Sequence, residues 1–288
     1  MFTLFTDTDC DMTPESCKKY GYKLISMPYT IDDTLVYPYE DFDVFDAHAY
    51  YERLRGGTLP TTSAVPKEKY IEYFEPEFAA GRDILYVHFS AAMTNTFDFM
   101  NQALKELKEK YPERKFYDVD TKGITTISKN IAYTIGDMVQ AGKTPEEIVE
   151  WAKEGVFKYA MYFMADDLKF FHRSGRVNGL SAVMGTLIGI RPIITMDANG
   201  KMTSVGKAKG RKKTLEALVE KMEELGDDVA KHRIMIGHSD SQDIAEELAE
   251  MIRAKFGECD IEYVVVNPTA GAHCGPNGIG VTFSATGR

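Results

Sequence analysis

The sequence lacks any Cys-x-x-Cys pair. Its four cysteines, Cys10, Cys17, Cys259 and Cys274, are scattered over 288 residues. Such spacing excludes a zinc-ribbon framework, and without an export signal the thiols are expected to be reduced. The opening residues MFTLFTDTDC contain no basic stretch and carry acids from Asp7 onward. They do not resemble a secretory leader, so a cytoplasmic protein is expected. Long hydrophobic runs are missing too. The longest, Val183 to Ile194, is interrupted by Gly185, Gly189, Arg191 and Pro192, and is too short to span a bilayer. Positive charge is in deficit: the net charge of -10 argues against a general binder of nucleic acid or of anionic membranes. There is no Gly-x-x-x-x-Gly-Lys-Ser/Thr phosphate loop and no Gly-x-Ser-x-Gly nucleophile elbow. Internal repeats and low-complexity linkers are also absent.

What is present is the composition of a globular protein, 44% hydrophobic, 27% charged and 11% aromatic. A chain of this length buries roughly three quarters of its unfolded surface and needs no metal or disulfide staple. Short apolar runs at 2–6, 22–31, 84–89 and 115–119 alternate with helical patterns at 43–55, 67–80, 125–141 and 145–155. That alternation predicts an α/β fold whose first half carries a mostly parallel sheet with flanking helices. The second half differs. Ile193–Met196 and Met202–Val205 flank the turn Asp197-Ala198-Asn199-Gly200, which predicts a hairpin. Strands at 159–165, 233–237, 261–266 and 279–284 and helices at 211–225 and 240–256 complete a mixed or antiparallel sheet. Two domains are expected, 1–156 and 157–288.

Five segments carry candidate chemistry, each with a bland alternative. Thr61-Thr62-Ser63 offers hydroxyls to an anion or, more simply, caps a helix starting near Pro66. Ser90 to Thr94 follows a strand directly, so a helix opening there presents free N–H groups to a carboxylate or phosphate. Asp166-Asp167-Leu168 reads as a helix cap, and Ser174-Gly175-Arg176 as a turn exposing an arginine. Lys207, Lys209, Arg211, Lys212 and Lys213 form the one dense basic run, either a solvated helix start or a docking patch. His273-Cys274-Gly275-Pro276-Asn277-Gly278 is a glycine-rich turn in which His273 serves as donor or base. His238 is a weaker case of the same kind.

Taken in order, these segments resemble the DegV family over nearly the whole chain. The family's Asp-Ser-Thr opening falls on Asp7-Thr8-Asp9, its Thr-Ser-Gln-Pro on Thr62-Ser63-Ala64-Val65, and its Ser-Ser-Gly-x-Ser-Gly-Thr on Ser90 to Thr96. Its Asp-Asp-Leu with Ser-Gly-Arg falls on Asp166 to Leu168 and Ser174 to Arg176. Its Gly-x-Leu pattern falls on Gly185 to Ile194, and its terminal His-x-Gly-Pro-Gly on His273 to Asn277.

The resemblance implies two α/β domains enclosing a long-chain fatty acid, with no other cofactor and no metal. It implies a carboxylate site at Thr62, Ala91 and His273, with Ser63, Ser90 and Thr94 beside it. It also implies a non-catalytic role as the acyl-carrying subunit of a fatty-acid kinase, whose separate ATP-binding chain makes acyl phosphate for phospholipid synthesis. Arg176, with Arg211, is the expected docking point for that chain. This sequence departs from the family at Ala64, Ala91 and Asn277, and Ala91 brings no hydroxyl. A buried acyl chain contributes about 0.8 kcal/mol per CH2, so ~15 carbons supply about 10 kcal/mol before ordering costs. The competing expectation is a serine/histidine hydrolase using Ser90 or Ser63 with His273 on a lipid or ester.

Overall fold

The computed structural model describes residues 1–178 and 189–288. The segment 179–188, with Val183, Gly185 and the leucine of the family's Gly-x-Leu pattern, lies outside the described residues. Four strands form the first sheet: β1 (Phe2–Asp7), β2 (Tyr22–Ile25), β6 (Asp83–His88) and β7 (Phe116–Asp120). Their order is β2-β1-β6-β7 and every pairing is parallel. Leu85, Tyr86 and Val87 are all buried, as a strand covered on both faces requires. The covering helices are α1 (Pro14–Tyr20), α3 (Lys67–Ala79), α4 (Thr96–Lys110), α5 (Thr126–Gln140) and α6 (Pro145–Gly155). Thr13 and Thr144 start α1 and α6 with reciprocal capping bonds and a proline in the first turn.

The second sheet is mixed. It comprises β8 (Tyr159–Met164), β9 (Val177–Asn178), β10 (Ile190–Met196), β11 (Met202–Lys209), β12 (Ile234–His238), β13 (Ile261–Val265) and β14 (Ile279–Ser284), in the order β13-β12-β14-β8-β10-β11-β9. Helices α7 (Lys169–Ser174), α8 (Arg211–Leu225), α9 (Gln242–Phe256) and α10 (Pro268–Cys274) accompany it. The first sheet ends before, and the second begins after, the 3-10 turn Val156–Lys158. The two halves are nonetheless joined in one apolar cluster: α5 packs on β8, β12 and β14, and Ile127 and Ile131 share a core with Met161 and Met235.

One expected strand is in fact two. The run Tyr22 to Ile31 breaks at Ser26-Met27-Pro28 into β2 and β3 (Tyr29–Ile31). Pro28 has no N–H for a ladder, and the Met27 N–H donates instead to Thr8 Oγ1 at 2.9 Å. Freed from the first sheet, β3 pairs antiparallel with β4 (Thr34–Val36) and β5 (Thr61–Thr62). This small sheet and α2 (Ala47–Arg55) form a cap beside α10. The helix expected from residue 43 starts at Ala47 because Asp46 Oδ1 accepts the Ala49 N–H, fixing the first turn there.

The β10–β11 hairpin reaches back to the first lobe. Asp197 Oδ1 accepts from the N–H groups of Asn199 and Lys201, both at 2.9 Å. The turn ends at Gly200, whose φ is +79° and whose carbonyl accepts from Ser90 Oγ at 2.7 Å. A Cβ at Gly200 would run into that Ser90 hydroxyl. Gly200→Ala is therefore expected to destabilise the protein by about 1–3 kcal/mol, from left-handed strain plus the clash. In a urea-unfolding double-mutant cycle, Ser90→Ala should relieve part of that loss, so the double variant is more stable than additivity predicts.

Candidate functional site

A cavity of about 1100 Å³, its open mouth included, lies between the two lobes beneath the cap. Its wall is largely apolar, with Phe89, Met93, Met161, Phe163, Phe171 and Met202 prominent. Helix α10 borders it from end to end: Thr269, Ala270, His273 and Cys274 all line it, and this i, i+1, i+4, i+5 spacing is one helical face.

Several side chains hold α10 in place. Asn267 caps it, its side chain accepting from the Ala270 N–H at 2.9 Å. Asp11 Oδ1 in turn accepts from the Asn267 N–H at 2.9 Å and from its Nδ2 at 2.8 Å. The Tyr50 and Tyr51 hydroxyls of α2 donate to the carbonyls of Pro268 and Val266 at 2.7 and 2.9 Å. The helix stops at Gly275, whose φ is +72° and where a Cβ would strike the Phe170 ring. His273 is thereby fixed in the last turn.

Thr62 faces it from the cap. Its Oγ1 lies 3.0 Å from His273 Nε2. Two constraints place Thr62: the pairing of β5 with Tyr29, and Arg173, whose guanidinium donates to the carbonyls of Leu59 and Pro60. The expected helix cap is not its role, because α3 begins at Lys67 behind Pro66 with no side-chain cap bond. Burial, reinforced by the positive charges of Arg176 and Arg173, pushes the His273 imidazole down to about 4. A neutral ring offers one donor and one acceptor nitrogen. When Nε2–H donates to Thr62 Oγ1, the Thr62 hydroxyl hydrogen is free to donate to a ligand oxygen. Ser63 and Thr94 line the same cavity, and Arg176 does so while staying exposed at the surface.

Two residues expected at the headgroup do not line the cavity. The helix expected directly after Ser90 is a 3-10 turn, Ala91–Met93, and α4 opens only at Thr96. The Ser90 hydroxyl is fully buried, and its one hydrogen goes to Gly200. Ala91 turns towards β7, its N–H directed at Asp120 Oδ2 at 3.4 Å. Further along this loop Met93, Thr94 and Asn95 line the cavity.

Arg211 is not brought to this site either. Arg176 precedes β9, which pairs with β11 at Met202, whereas Arg211 follows the far end of β11. The eight residues of β11 lie between the two arginines, about 26 Å at ~3.3 Å per residue. Lys207, Lys209, Arg211, Lys212 and Lys213 are all exposed. Asp167 Oδ1 accepts the Lys169 N–H at the start of α7, while Asp166 pairs with Arg191. His238 is occupied as well, its Nδ1 accepting the Ser241 N–H. His48, Glu52 and Asp240 place ligand atoms within 4.8 Å of one another, but the Arg55 guanidinium already bridges Glu52 and Asp240. Among the described residues no helix is long and apolar enough to cross a membrane.

The fold and cavity define a two-lobed α/β protein with a mainly apolar cavity between its lobes. Comparison with known proteins gives the particular kind. The family model described as "Uncharacterised protein, DegV family" matches residues 1–286, and the chain belongs to that family. A DegV domain-containing protein of Clostridium perfringens is 33% identical over 286 residues, 98% of this chain and 97% of the relative. Among solved structures, a DegV lipid binding protein from Thermotoga maritima superposes with a TM-score of 0.83 at 22% identity, covering 100% of both chains. A fatty acid binding DegV family protein from Streptococcus agalactiae gives 0.84 at 22% identity, covering 99% of each.

The geometry predicts how His273 titrates. By NMR its ring should be neutral at pH 7, and Arg176→Gln should raise its pKa, because a like charge is removed. The folded-state value of about 4 lies below the ordinary 6.5. The associated stability is thus complete above pH 6.5 and is lost as pH falls towards 4, where the unfolded chain takes up a proton that the folded ring resists. Asp7 and Asp11, raised to about 6, gain stability in the same window in both proteins, so urea unfolding should show the native protein losing stability relative to His273→Gln as pH falls from 6.5 to 4.

Proposed function

We propose that this protein binds one long-chain fatty acid in the cavity and presents its carboxylate to a separate ATP-dependent kinase chain. The observation that carries this reading is the Thr62–His273 pair on the wall of a cavity whose lining is otherwise largely apolar. The carboxylate sits among Thr62, His273, Ser63 and Thr94, and the acyl chain runs along α10 between the lobes. Arg176, on the wall and at the surface, faces the carboxylate end and the docking chain together. Arg211 serves at most a separate contact. The protein acts in the cytoplasm as a carrier, and the acyl phosphate feeds phospholipid synthesis. The Thermotoga and Streptococcus relatives, described as lipid and fatty acid binding, support the ligand class. Ser90, with its hydroxyl committed to Gly200, gives no support to a hydrolase.

Protein purified from a bacterial host should carry one fatty acid per chain by native mass spectrometry. After delipidation, Thr62→Ala should weaken fatty-acid binding roughly tenfold or more, since a hydrogen bond to a charged group is worth about 1.5–3 kcal/mol. Ala91→Ser should leave affinity unchanged. Absence of lipid in the purified protein, together with no uptake of added fatty acid, would refute the reading.

The kinase role is tested apart from binding. Arg176→Ala should lower acyl phosphate formation by a matched kinase chain by more than it lowers fatty-acid affinity. Equal losses in both would place Arg176 in ligand binding alone.

A further inference from the structure

The cavity has a second polar feature that the carboxylate site does not use. Asp9, in the 3-10 turn Thr8–Cys10 that follows β1, lines the cavity and is only 5% exposed. Its Oδ1 is buried with no hydrogen-bond partner among the described residues. Neither adjoining acid lines the cavity: Asp7 accepts from Cys10 N–H, Phe89 N–H and the Tyr86 hydroxyl, and Asp11 accepts from Asn267 through Oδ1, its Oδ2 being buried and unpaired. The Asp9 backbone is fixed as well, its carbonyl accepting from the Thr125 N–H at 2.6 Å.

The turn that carries Asp9 packs on α10, the helix that also carries His273. Asp11, two residues from Asp9, holds the Asn267 cap, whereas His273 is in the last turn. Six residues at 1.5 Å each separate the ends by about 9 Å. The chain entering from the turn of Asp9 is thus anchored through Asp11 at the end of α10 opposite His273. A buried polar group without a partner is unfavourable and is relieved by any ligand atom that pairs with it.

We propose that Asp9 forms a second polar subsite that recognises an oxygen substituent partway along the acyl chain, so that the preferred ligand is a hydroxylated long-chain fatty acid. This rests on the fatty-acid reading above. Burial, with the nearby carboxylates of Asp7 and Asp11, pushes the Asp9 carboxyl well above the ordinary range. That favours the protonated form, which both donates to and accepts from a hydroxyl. An unsubstituted chain leaves Asp9 facing CH2 groups.

The test is calorimetry on delipidated protein with stearic acid and a set of its mid-chain monohydroxy isomers. At least one isomer should bind about tenfold more tightly than stearic acid. Asp9→Asn, which keeps a donor and an acceptor, should retain the preference. Asp9→Ala should abolish it and bind stearic acid at least as well as the native protein does. If stearic acid binds but no hydroxylated isomer is preferred, or if the preference survives Asp9→Ala, the subsite is refuted and the fatty-acid reading stands. If neither class of ligand binds the native protein, the fatty-acid reading falls and the subsite with it. The comparison in native protein decides the matter even if a variant fails to fold.

Discussion

The structure depends on one buried contact, the Asp11 carboxylate against Asn267, 256 residues away in the chain. Asp11 belongs to the turn after the first strand, and Asn267 starts α10. The contact orders that helix against the first lobe, and the helix carries His273 and one wall of the cavity. Burial raises the Asp11 carboxyl to about 6, while the two Asn267 donors and Lys129 oppose the rise. Removing either partner would strand a buried polar group, the more expensive way to lose a hydrogen bond.

Around that contact, polar groups are spent on position and apolar groups on enclosure. Asp7 ties its own turn to β6 through Phe89 N–H and the Tyr86 hydroxyl. Ser90 joins the first lobe to the β10–β11 hairpin, Arg173 fastens the strand bearing Thr62, and Tyr50 and Tyr51 fasten α10 to the cap. Methionines and aromatics from both lobes form the wall, side chains able to follow an irregular apolar surface. Thr62 and His273 are polar groups that face the space so enclosed.

Much of the fold was legible in the sequence because hydrophobic period and turn chemistry are local. The spans 211–225 and 279–284 coincide with α8 and β14, and the Asp197–Gly200 turn forms as a hairpin. The errors occurred where a distant group overrode a local signal. Tyr22 to Ile31 looked like one strand, but a hydroxyl of the first turn takes the Met27 N–H and Pro28 cannot donate. Thr62 looked like a helix cap, but pairing with Tyr29 sets it in a strand. Ser90 and Ala91 looked like headgroup positions by motif alignment. A 3-10 turn and the Gly200 carbonyl turn both away, and Thr94 lines the cavity instead.

The sequence alone determined the class of fold, the order of elements and the residue types available to hold an anion, because each follows from spacing along the chain. Which of those residues meet was decided only in three dimensions. Thr62 and His273 are 211 residues apart and become partners across a gap closed by Arg173 and α10. Arg176 and Arg211, only 35 positions apart in the chain, are held at opposite ends of β11 by strand pairing. Asp9 looks in sequence like one more acid in a polar turn. It is a distinct feature only because packing sets it, and not Asp7 or Asp11, on the cavity wall with its buried Oδ1 unpaired. Local periodicity encodes which face of an element is apolar, whereas long-range hydrogen bonds choose which polar groups remain free.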